Sequence, residues 1–93
     1  MTAREFYVLD AVNIATTRFR RRGHGYEATA AQIAEVLRED DRIGSPFLLS
    51  SLEVGATLRS LAQGMPHRSC PLVVKVDARR WRLTGDGCRV LSA

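Results

Sequence analysis

Lysine is almost missing from this chain. It has 93 residues and 14 basic side chains, of which only Lys75 is a lysine. Arginine offers a planar fork that suits phosphate, carboxylate and guanine; a genome-wide coding bias gives the same skew. Cysteine is scarce too, with only Cys70 and Cys88. Two such residues make no disulfide framework, and a reducing, cytoplasmic compartment is expected. No apolar run is long enough to span a bilayer, and the N-terminus lacks the charged-then-apolar pattern of a secretion signal. No phosphate loop of the Gly-x-x-x-x-Gly-Lys kind and no G-x-S-x-G elbow occurs. Acids and histidines are scattered, so no enzymatic activity is expected. His67 and Cys70, with His24 and Cys88, offer at most half of a zinc site, because structural zinc needs two close ligand pairs. The "GDG" at Gly85–Gly87 lacks the further acids of a calcium loop. No metal and no cofactor is expected.

What is present is a basic globular composition. Apolar residues make up 45% of the chain and the formal net charge is +4. The length fits one domain over 1–93, small enough to be marginal alone and often stabilised by pairing. A net positive charge is compatible with a polyanionic partner but does not require one.

Helical periodicity runs over 4–20, where Phe6, Val8, Leu9, Ala11, Val12, Ala15 and Phe19 form a wide apolar face. That width fits a central helix buried by its own domain, an interface with a second copy, or both. Arg20 to Arg22 and the glycines beside His24 break the pattern. Thr29 with Gln32 reads as a capping box opening a second helix to about Glu39, buried through Ile33, Val36 and Leu37. Ser50 with Glu53 forms another box, with Leu49 and Val54 at the staple positions. Val54, Leu58 and Leu61 then mark the buried face of a third helix that stops near Gly64 and Pro66. Its opposite face carries Glu53, Ala56, Thr57, Ser60 and Gln63, with Arg59 beside them.

From Leu72 the period changes to two. A hairpin turning at Ala78–Arg79 pairs Val76 with Trp81 and Val74 with Leu83. Lys75 then sits opposite Arg82 on the other face. The turn lacks Asn-Gly or Asp-Gly, so a looser loop is expected. Thr84 caps a short last helix, with Asp86 in its first turn.

The order is three helices, a hairpin and a short helix. "TAAQIAEVL", "SSLEVGATLRSLAQGM" and "RRWRLTGDGCRVL" together resemble the winged helix-turn-helix superfamily, particularly small bacterial transcription regulators of the MarR and PadR kind. Trp81, Leu83, Thr84, Gly87 and Leu91 match the family's aromatic-x-Leu-Thr-x-x-Gly-x-x-x-Leu. The segment Asp40–Leu49 is longer than the family's usual join between its second and third helices. The resemblance implies an α+β winged helix-turn-helix fold, with a two-stranded wing and a short C-terminal helix. It also implies a sequence-specific regulator of transcription, such as a repressor, that binds double-stranded DNA as a homodimer through the N-terminal helix.

In that case Ser50, Ser51, Ala56, Thr57, Arg59, Ser60 and Gln63 face the major groove. Lys75, Arg79, Arg80 and Arg82 form a basic wing on backbone or minor groove, and Arg21 and Arg22 reach flanking phosphates. The other reading of the same fold is a protein-interaction adaptor without DNA binding, suggested by the long connector and the acidic "REDD" at Arg38–Asp41. Arg20–Arg22 read equally as a solvated helix end, and Trp81 more readily as core than as a base-stacking platform.

Overall fold

Each of the three longer helices starts on a reciprocal cap. In the computed structural model, which describes residues 1–23, 25–63 and 71–92, α1 spans Ala3–Arg18, α2 Ala30–Glu39 and α3 Ser51–Ala62. Thr2, Thr29 and Ser50 each accept a hydrogen bond from the backbone N–H three residues on. The side chains of Glu5, Gln32 and Glu53 in turn accept from the cap residue's own N–H, satisfying N–H groups that a helix start leaves open. A fourth helix, α4, spans Gly85–Ser92. Its cap is Thr84, whose Oγ1 accepts from the Gly87 N–H at 3.1 Å. Gly64, Pro66, His67, Cys70 and His24 lie outside the described residues.

Three short strands, β1 (Ala28–Thr29), β2 (Val73–Lys75) and β3 (Arg80–Leu83), form an antiparallel sheet in the order β1-β3-β2. The architecture is thus a small α+β fold. α1 lies at its centre. Val8, Leu9, Ala11, Val12 and Ala15 are fully covered, and α1 packs against α2, α3, β3 and α4. The width of its apolar face is therefore used by the chain itself. Among its large apolar residues Phe6 is left exposed, at 44%. α1 also ends at Arg18 rather than at the expected Arg20.

The hairpin differs from expectation by one residue. Val73 pairs with Leu83, Val74 with Arg82 and Lys75 with Trp81. A one-residue slip exchanges the faces of a strand, so Val73 is buried while Val74 and Val76 are exposed. The cause is the turn. The Asp77 carboxylate accepts from the backbone N–H groups of Arg79 (2.8 Å) and Arg80 (3.0 Å). The Val76 N–H donates to the Arg80 carbonyl at 2.9 Å. An aspartate that folds over its own following backbone makes the looser loop that the sequence leads one to expect, and it moves the register. β1 has no counterpart in the sequence reading. It is two residues long, too short for alternation to show, and Thr29 serves both in it and as the α2 cap.

The connector from Asp40 to Leu49 is anchored rather than loose. Ile43 and Leu49 are buried, and the Phe47 ring meets that of Tyr7 at 5.8 Å. Its first residue, Asp40, is clamped by Arg18 (2.5 Å) and Arg42 (2.7 Å), with its side chain only 4% exposed. The Arg42 hydrogen bonds hold the Asp40 carboxyl well below the usual carboxylate range, and the Arg42 and Arg18 charges add to that. Nearby Asp10 shifts the other way, first because it is partly buried and then because Asp40 faces it.

A carboxyl whose folded pKa is lowered stabilises the fold above its unfolded value and loses that contribution as pH falls. Asp40→Asn is therefore expected to lower the melting temperature at neutral pH. The gap from the parent protein should close as pH drops below about 4, where the unfolded carboxyl takes its proton. A gap independent of pH in thermal melts would contradict the clamp. Among the described residues no helix is long and apolar enough to cross a membrane.

Candidate nucleic-acid interface

The Asp77 turn fixes what the hairpin tip presents. Its carboxylate is pulled below the ordinary range by the Arg79 N–H first, then by the Arg80 N–H and the charges of Arg80 and Arg21. This ties the backbone down and leaves the Arg79 side chain exposed at the tip. Arg80 turns back toward Asp77 at 3.9 Å and is a quarter exposed. Lys75, opposite Trp81, carries its ammonium 5.6 Å from the indole ring centre, a cation–π contact that orients it.

Helix α3 presents less polar surface than its sequence suggests. Thr57 is only 6% exposed. Its hydroxyl donates to the Glu53 carbonyl (3.0 Å) and accepts from Arg4 Nε (3.1 Å). The Ser60 hydroxyl donates to Glu5 at 3.1 Å. Both hydroxyls therefore serve the joint with the first turn of α1 instead of facing solvent. Arg4 and Glu5 lie more than fifty residues away in sequence, so helical spacing alone could not reveal this. Ser50 and Glu53 are occupied by their cap, and the Ser50 hydrogen bonds lower the Glu53 carboxyl. What faces outward is Leu52, Ala56, Arg59 and Gln63, one stripe at i, i+4, i+7 and i+11.

The hairpin and α3 meet at a concavity of about 610 Å³. Its walls include Thr29 to Ala31 at the start of α2, Ser51 and Leu52 at the start of α3, and Lys75, Arg79 and Trp81 of the hairpin. Two helix starts point their partial positive charge at the same space. Arg59 lies back over Gly55, its guanidinium 3.6 Å from where a β-carbon would sit, which carries its charge toward that end of α3. The ion pairs of the described residues use Arg18, Arg21, Arg42, Arg80 and Arg89. Arg59, Lys75 and Arg79 belong to none of them.

The remaining candidates lie elsewhere. Arg21 is half-buried and pairs with Glu27 at 3.1 Å, bracing the loop before β1. Arg22 is exposed. Arg20 reaches the Tyr26 hydroxyl at 2.9 Å. Arg82 projects from the other sheet face into a second concavity of about 540 Å³, beside Asn13, Thr17, Tyr26 and the exposed Cys88. The acids of "REDD" sit at the C-terminal end of α2, about 15 Å along the helix from the concavity.

Two parts of the site escaped sequence reasoning, the start of α2 and Leu52. Extending the stripe of Ala56, Arg59 and Gln63 back by one helical turn would have found Leu52. No family model, curated protein or solved structure matches the chain.

Proposed function

We propose that this protein is a winged helix-turn-helix regulator that binds double-stranded DNA. In this reading α3 enters the major groove and the Lys75–Arg79 hairpin is the wing. The observation that carries it is the placement of Lys75 and Arg79, outside the ion pairs named above, around one concavity bordered by two helix starts, with Arg59 exposed on the outward stripe of α3. Cations spent on acids within the fold cannot compensate phosphates, and these are not spent. The order of helices and strands, with the hairpin following α3, supports the same reading. Of the two features that suggested a protein adaptor, the connector and one acid of "REDD" have structural uses. The connector is packed through Ile43, Phe47 and Leu49, and Asp40 is neutralised by its arginine clamp. A site with two-fold symmetry calls for a second copy, and the surface α1 leaves for it centres on Phe6.

Mobility shifts of a mixed duplex pool across a salt series test the proposal. Affinity is expected to fall steeply with salt, because each phosphate contact releases counterions. Lys75→Ala and Arg79→Ala should each weaken binding of all duplexes and reduce the log–log salt slope by about 1. No retarded species at low salt with any duplex rules the reading out.

A further inference from the structure

We propose that Leu52 recognises the C5 methyl group of a thymine; this rests on the DNA-binding reading above. Leu52 is 83% exposed, and Leu48, just before the α3 cap, is 82% exposed. Neither exposure serves the fold, since the core face of α3 is Val54, Leu58 and Leu61, all fully covered. The surroundings define what can cover Leu52. Ser51, Lys75 and Arg79 share its concavity, and Arg59 follows on the outward stripe of the same helix. Leu52 among these cations, with Leu48 before the cap, is too little apolar surface for a protein interface, which buries about 800 Å² on each partner. The fitting ligand is polyanionic and offers small isolated apolar points between polar groups.

The major groove of DNA has that character. Its base edges carry donors, acceptors and one apolar group, the thymine methyl. The minor groove shows no such group, and uracil in RNA lacks it. Leu52 is the second residue of α3, and the first residues of a groove-inserted helix are the ones that reach base edges. Ala56, one turn on, extends the apolar part of the stripe. Arg59 and Gln63 then bring donors suited to guanine and adenine.

The test begins with duplexes selected from a random pool by the whole protein. In the strongest of them each thymine is replaced singly by deoxyuridine, which removes the methyl and leaves base pairing intact. Dissociation constants are measured for the parent protein and for Leu52→Ala, whose thermal melt is expected to match the parent's because the side chain is exposed. One replacement should weaken the parent about fourfold and leave L52A unaffected, the pattern of a coupled pair in a double-mutant cycle. Insensitivity of the parent to every replacement overturns the inference, as does an equal loss in both proteins. In either case the DNA-binding reading survives. Failure to enrich any duplex overturns that reading first and the inference with it.

Discussion

Gly87→Ala is expected to destabilise the protein by about 3 kcal/mol, near the upper end for overpacking a closed site. A β-carbon on Gly87 would fall far inside contact distance of the Leu72 carbonyl oxygen, and 3.2 Å from both the Leu72 carbonyl carbon and Leu83 Cδ2. That oxygen cannot step aside. It accepts from the Thr84 N–H at 3.1 Å, while the Leu72 N–H donates to the Leu61 carbonyl at 3.0 Å. The Leu72 peptide thus joins α3, the hairpin and the start of α4, and Gly87 is the residue that lets α4 lie against it. For a domain of this size the loss corresponds to a melting-temperature drop of about 12–24 °C. Gly85 is the internal control. It is exposed, and a β-carbon there meets nothing nearer than the Arg89 guanidinium at 4.0 Å. Gly85→Ala should leave the melting temperature level or raise it slightly, because alanine is the better helix former. If G87A melted with the parent in calorimetry, the close approach of α4 to Leu72 would be refuted.

The "LTGDG" stretch also shows what a sequence can carry. Thr84 as a cap and Asp86 in the first turn are local facts, settled within four residues, and they could be anticipated. So could the boxes at Thr29 and Ser50, for the same reason. The box at Thr2 and Glu5 obeys the same local rule, one turn ahead of the apolar pattern of α1.

Part of what escaped prediction depended on contacts between distant segments, and part on a local turn that the chain could close in two ways. Arg4 and Glu5 hydrogen-bond Thr57 and Ser60 and so take them away from the outward stripe of α3. The hairpin register hung on one side chain, Asp77, choosing two backbone N–H groups over solvent. The candidate site divides along the same line. Lys75 and Arg79 could be named from alternation and a turn. That they share a concavity with the starts of α2 and α3 follows only from how the elements pack.

Trp81→Ala should cost the fold most, about 3–5 kcal/mol by the behaviour of buried aromatics. Trp81 is 5% exposed and sits on β3, the central strand, where Ala28 pairs with it on one side and Lys75 on the other. The small Ala28, itself fully covered, leaves room for the indole between sheet and helices. Set against a total stability of about 5–15 kcal/mol, such a loss leaves a substantial unfolded fraction. It should lower the melting temperature by about 12–40 °C. Amide exchange should quicken first along β2 and β3, whose pairing the ring backs.

Trp81→Phe separates the two duties of the residue. It keeps an apolar ring in the core at a cost of about 1–2 kcal/mol, yet presents a weaker π-face to the Lys75 ammonium. A folded W81F that binds duplex less tightly than the parent, though better than Lys75→Ala, would tie the core of the hairpin to the aim of its cation. Equal affinity of W81F and parent would mean that, on the proposed DNA-binding reading, the Lys75 ammonium acts without the indole. A W81A protein melting with the parent would remove Trp81 from the core altogether.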